Sequence, residues 1–199
     1  LLPATVVFSW LYLPAYLPKT PLPPSSAPEI TVLTYNILAI NRNLDAVAEV
    51  ILEADADIVA IQEAQIEFQT YAESHLTERY PYMVAYQTAR LSRYEGRMLL
   101  SKYPILTASV EPGYARTFLY LRAEIDVQGE RIALYNVHLH PPSPRWIFST
   151  VDRHGDLEVL LANTAQETLP TLIMGDFNMT DATGDYRLIA SQYTDTYRE

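Results

Sequence analysis

The hydrophobic pattern along this chain changes period repeatedly, and each change marks an element. Glu29–Ile37 reads as apolar or β-branched and predicts a strand buried on both faces. Leu44, Val47, Ala48, Ile51 and Leu52 follow helical spacing, with Asn43 placed to cap them. Asp55–Asp57 turns the chain into a second buried strand at Ile58–Ile61, so the opening predicts a β-α-β unit. Gln65–Arg79 reads as a further helix. Tyr82–Tyr86, Arg97–Ser101 and Ile105–Val110 read as short strands, and Phe118–Val127 with Arg131–Leu139 as a hairpin around Gln128-Gly129. Leu157, Leu160 and Leu161 mark a helix over Arg153–Gln166, and Thr171–Asp176 a final strand. Helices alternate with strands while antiparallel hairpins intervene. That mixture predicts two sheets packed face to face with helices outside, rather than one parallel sheet.

Four of the apolar runs end in a residue suited to phosphate and metal chemistry: ITVLTYN at Asn36, IVAIQE at Glu63, IALYNVH at His138, and LIMGDFN at Asp176 and Asn178. A carboxylate such as Glu63, at the edge of an uncharged run, gains most by binding a hard divalent cation. Asn36 offers an amide to hold a metal-bound water or to orient a neighbour. His138 suits a phosphate oxygen, or acid–base work near neutral pH. His140, two residues on, would share its face in an extended strand; the zinc pair this invites lacks an evident third ligand. Gly175 permits close backbone approach. In an extended chain Asp176 and Asn178 point the same way, one to orient a water and the other to hold a phosphoryl oxygen. His154-Gly155-Asp156 with Ser149 or Ser143 matches a hydrolase triad only loosely, because no Gly-x-Ser-x-Gly elbow is present. His75 lies on a polar helix and reads as a solvated surface residue.

Composition narrows the classes. Hydrophobic residues are 49% and charged residues 19% of the 199, enough for a substantial core. A net charge of −10 opposes long-range attraction to DNA or RNA. With no cysteine, disulfides, thiolate zinc sites and cysteine nucleophiles are excluded together. Residues 1–18 carry no charge and read as the end of a membrane helix or an apolar anchor, with Trp10, Tyr12 and Tyr16 as interfacial aromatics and Pro14 and Pro18 as stops. A signal-peptide core is the alternative. Residues 19–28 form a Pro/Ser-rich linker and residues 29–199 the domain.

In order, Thr34-Tyr35-Asn36-Ile37, Asp57–Glu63, Leu99–Ile105, Asn136-Val137-His138-Leu139 and Gly175-Asp176-Phe177-Asn178 resemble the motifs of the endonuclease/exonuclease/phosphatase superfamily, the pancreatic-deoxyribonuclease-like fold. The resemblance runs from Glu29 to the C-terminus. It implies an α/β four-layer α-β-β-α sandwich of two mixed sheets, and a hydrolase of phosphoester bonds using magnesium, with manganese as the alternative. It places Asn36 and Glu63 at the metal. It places His138 on the scissile phosphate or as the acid, Asp176 on the attacking water or a second catalytic histidine, and Asn178 on phosphate. The apolar lead-in resembles membrane-anchored bacterial members, which implies a domain held at the bacterial cell membrane. Such proteins continue to a terminal Ser-Asp-His, whereas this sequence ends Thr196-Tyr197-Arg198-Glu199 and begins with Leu1. It therefore reads as truncated at both ends, with the sandwich incomplete at the C-terminus and a sheet edge left exposed.

The acidic charge and apolar segment favour a lipid or small phosphodiester substrate over duplex DNA. Trp146, Ile147 and Phe148 either dip into a lipid surface or pack as the start of the next helix. The competing function class is a membrane-tethered, catalytically inactive binding module with the same fold.

Overall fold

Asn43 caps the first helix of the domain as its position predicts: its side chain accepts from the Ala46 amide, and α1 runs Leu44–Ala54. Asp55 ends that helix in the left-handed region and returns the chain to a strand. The computed structural model describes residues 29–87, 96–114, 119–142 and 149–196, together with positions 3, 5–7 and 9, which are helical. Nearly all of residues 1–28, and Trp146, Ile147 and Phe148, fall outside the described residues. Among those described, no helix is long and apolar enough to cross a membrane.

The chain forms two compact units, residues 29–180 and a second made of residues 1–28 with 181–199. The first unit holds two four-stranded sheets. In the first sheet β1 (Val32–Asn36) lies parallel to β2 (Ile58–Gln62), then β4 (Arg97–Ser101) and β3 (Tyr82–Tyr86) follow antiparallel. In the second, β5 (Ile105–Pro112), β6 (Leu119–Val127) and β7 (Glu130–His138) form a meander, and β8 (Thr171–Asp176) adds parallel to β7. Helix α2 is Ile66–His75 and α3 is Val151–Thr164. In the second unit α4 (Gly184–Ala190) is capped by Thr183, and the Tyr186 hydroxyl donates to Asp195 at 2.7 Å.

The uninterrupted apolar runs have a simple cause. Along β2, alternate residues face different layers, and both layers are apolar. Val59 and Ile61 meet Val47, Ala48 and Ile51 of α1 and Phe68 and Ala72 of α2. Ile58 and Ala60 meet Leu121, Ala123, Ile125 and Leu134 across the sandwich. On the far face Leu157 and Leu160 of α3 are buried, and the Tyr120 hydroxyl donates to the Asp156 carbonyl at 2.5 Å. The layers are α-β-β-α, as the motif order implied.

Two expectations need correction, and one element was not expected. The strand at Glu29–Ile37 shortens to β1 and is not buried on both faces: it lies at a sheet edge, with Val32 36% exposed. Helix α2 stops at His75 rather than Arg79, because the amides of Arg79 and Tyr80 turn back onto the Leu76 carbonyl. Helix α4 carries no readable apolar stripe, and the hydrophobic pattern does not predict it. The Gln128-Gly129 hairpin is as expected, with φ of 56° and 96° matching the right-handed twist of its strands.

Candidate active site at the strand ends

β1, β2, β7 and β8 deliver their terminal residues to one place. The Asn36 amide nitrogen donates to Glu63 Oε1 and to Asp176 Oδ2, each at 3.0 Å. His138 Nε2 lies 4.0 Å from the same Glu63 oxygen and 3.8 Å from the same Asp176 oxygen. These residues come from both sheets, and Asn36 and Asp176 are 140 positions apart in sequence. The sequence-predicted site residues Asn36, Glu63, His138 and Asp176 are therefore brought together.

Their orientation is over-determined. Asn36 Oδ1 accepts from the Leu38 amide at 3.0 Å, which fixes the amide with its nitrogen toward the carboxylates. Glu63 Oε2 accepts from the Ala39 amide at 2.8 Å. Asp176 Oδ1 accepts from the Asn178 amide at 2.9 Å. Leu38, Glu63 and Asn178 all have positive φ, of 60°, 59° and 49°. Such conformations cost about 1–3 kcal/mol each and persist where neighbours hold them. Gly96 lets the Ala64 amide reach its carbonyl; a Cβ there would stand 1.7 Å from the Ala64 oxygen. Gly175 does the same for β8, where a Cβ would lie 2.0 Å from the Val137 oxygen.

Asn178 departs from the extended geometry expected of it. Its left-handed backbone turns the side chain back, and Nδ2 donates to the Leu139 carbonyl at 2.9 Å. His140 also fails to share a face with His138. β7 ends at His138, the pleat is lost, and His140 Nδ1 meets buried Asp156 of α3 at 2.5 Å. The loose triad disperses: His154 faces Glu158 at 3.6 Å, and Ser149 accepts from the Val151 amide. His75 stacks on Tyr71 with ring centroids 4.1 Å apart.

Sequence reasoning passed over several supporting residues. Arg97 is fully buried, and its guanidinium donates to the His138 carbonyl. Arg153 of α3 donates to the Asn178 carbonyl at 2.6 Å. Asn136, fully buried between the sheets, accepts from Gln62 at 2.8 Å and donates to the Ile61 and Met98 carbonyls, both at 3.0 Å. The available signal was polarity inside apolar strands: a buried Asn or Arg must be hydrogen-bonded, so it announces a network.

Glu63 and Asp176 are like charges on one shared donor, and among the described residues no Lys or Arg forms an ion pair with either. Two converging carboxylates in this state suit a cation. Among the described residues no group of three or more His, Cys, Asp or Glu is arranged to hold a metal. The two carboxylates by themselves suit a small hard cation, which takes one or two carboxylates and fills its remaining positions with water and phosphate oxygens.

The fold has solved counterparts. Sphingomyelinase C from Streptomyces griseocarneus superposes with a TM-score of 0.68 at 19% identity, covering 83% of this chain and 70% of that one. The human nocturnin catalytic domain with bound sulfate gives 0.65 at 19% identity, covering 82% and 69%. Truncated TDP2 of Caenorhabditis elegans gives 0.63 at 19% identity, covering 76% of this chain but only 63% of its own length. At such identities the likeness is one of fold. No curated protein matches the chain in sequence. Residues 33–197, which include every strand-end residue of the site, match the endonuclease/exonuclease/phosphatase family, and the chain belongs to it.

Proposed function

We propose that this chain is a magnesium-dependent phosphoester hydrolase, with manganese as the alternative ion, acting on lipid or small phosphodiesters in preference to duplex DNA. The observation that carries the reading is the meeting of Glu63, Asp176 and His138 around the Asn36 amide. Family membership supports the reaction class, since the endonucleases, exonucleases and phosphatases of its description all break phosphoester bonds. One fold neighbour is by name a sphingomyelinase. The net charge of −10 disfavours a long polyanion. The apolar segment at residues 1–18 would hold the domain beside a bilayer, where lipid substrate is concentrated.

Glu63 would hold the cation, with Asn36 fixing the carboxylate's orientation. The bound ion would neutralise phosphoryl oxygens and so favour attack at phosphorus. His138 is placed to give a hydrogen bond to a non-bridging oxygen, or a proton to the departing one. Asp176, locked by Asn36 and the Asn178 amide, would accept from the attacking water and aim it. Arg97 and Arg153 act behind these groups, holding the exits of β7 and β8.

The test is turnover of bis-p-nitrophenyl phosphate, sphingomyelin and plasmid DNA by the full-length protein, with magnesium or with chelator. Magnesium-dependent turnover is expected. His138→Asn should lower kcat by about 10²–10⁴-fold, and Glu63→Gln should raise the magnesium concentration needed for half-maximal rate. A chelator-insensitive rate removes the metal assignment, and no turnover of any substrate removes the hydrolase reading.

A further inference from the structure

Beside the carboxylates stands an apolar rim that the chemistry above does not use. After β1 the chain alternates: Ile37 and Ala39 are 5% and 4% exposed, whereas Leu38 and Ile40 are 52% and 56% exposed. Ile66, at the start of α2 and just past Glu63, is 57% exposed. The two segments are tied at both ends, by the Ala39 amide on Glu63 at 2.8 Å and by Arg42 to Glu67 at 3.5 Å. Ile40 and Ile66 therefore lie on one rim with Leu38.

This rim is built rigidly. The Leu38 amide donates to Asn36, the Asn41 amide donates to the Leu38 carbonyl at 2.7 Å, and Leu38 sits at φ 60°. Gly or Asn would occupy that conformation with less crowding. The backbone instead presents a large aliphatic side chain to solvent, in register with the site, through bonds to the site's own side chains.

We infer that Leu38, Ile40 and Ile66 form the wall against which the aliphatic part of a lipid phosphodiester lies while its phosphate sits beside His138, over the cation that Glu63 would hold. The inference rests on the hydrolase reading and specifies its substrate. Burying these side chains under a hydrocarbon chain is favourable in proportion to the area removed from water. A nucleic acid would gain little from them: it is a polyanion facing a chain of net charge −10, and Arg42 on the same rim is already paired with Glu67.

Two readouts decide the matter. The first is the ratio of kcat/KM for dihexanoylphosphatidylcholine to that for methyl p-nitrophenyl phosphate. The second is calorimetric binding of the same lipid. In the triple variant Leu38→Ser, Ile40→Ser, Ile66→Ser, the ratio should fall, and the lipid Kd should rise, about tenfold. Leu38→Gly guards against misfolding, because it relieves the backbone crowding. It should keep or raise the thermal midpoint and still lower the ratio severalfold. An unchanged ratio and Kd, an equal loss on both substrates, or tighter binding of a single-stranded oligonucleotide than of the lipid would each overturn the inference. If the full-length protein turns over neither ester, the hydrolase reading falls, and the calorimetric comparison still decides whether the wall binds lipid.

Discussion

A few residues hold this site by being polar where the pattern is apolar. Asn136 is the clearest. It sits in β7 amid Leu134, Tyr135 and Val137, and its side chain satisfies groups on β2 and β4 of the opposite sheet. Replacing it with Ala would take one acceptor from the Gln62 amide, which keeps Thr34 and Ala60, and would remove the side-chain donor to two buried carbonyls. Asn136→Ala should therefore cost about 3 kcal/mol in urea unfolding at neutral pH, with activity falling alongside because Gln62 adjoins Glu63. An unfolding midpoint equal to that of the unaltered protein would refute the role. Part of this scale was legible in the sequence: an Asn in a buried strand demands partners, and Gly175 before Asp176 foretells close approach. The identity of the partners was not legible, since three of them come from residues 38–75 positions away.

At the scale of elements, the segment after α3 is fastened to the second sheet by Glu167. Arg122 of β6 donates to one carboxylate oxygen at 2.9 and 2.6 Å, and the amides of Thr168 and Leu169 donate to the other at 3.0 and 3.3 Å. Burial pushes the Glu167 carboxyl up, but Arg122 and the two amides outweigh it and leave it below the usual range. A carboxyl lowered by folding adds stability above its unfolded value. That stability is lost as pH falls through the folded value. The unfolding midpoint should thus drop on acidification below about pH 4.3. Glu167→Gln should weaken the fold by about 1–3 kcal/mol at pH 7 and show a shallower acid limb; parallel acid limbs would contradict it. Apolar runs made β4 and β8 readable to the residue and β2 to within one, β2 and β4 being buried along their whole length. The edge strand β1 was overextended, for the same pattern can be met by one covered face and an apolar rim.

For the whole molecule, charge governs the approach of substrate. With a net charge of −10, plasmid DNA is repelled at long range, and salt screens that repulsion. Raising ionic strength from about 0.01 to 0.15 M, which shortens the screening length from roughly 30 to 8 Å, should increase kcat/KM on plasmid DNA and leave a zwitterionic lipid nearly unaffected. A steep decrease on DNA would point instead to a basic groove and a nucleic-acid substrate.

The sequence alone determined the order of elements as far as β8, the two-sheet class and the strand ends worth watching, because periodicity and strand-end chemistry are local properties of neighbouring residues. Tertiary structure decided how those ends are used. It turned the Asn36 nitrogen onto both carboxylates, curled Asn178 back to Leu139, and sent His140 to Asp156 instead of beside His138. It also left Leu38 and Ile40 in solvent, although their hydrophobicity matches that of the buried residues beside them. These outcomes depend on which distant groups arrive within hydrogen-bond reach and which faces find cover. Long-range packing sets both.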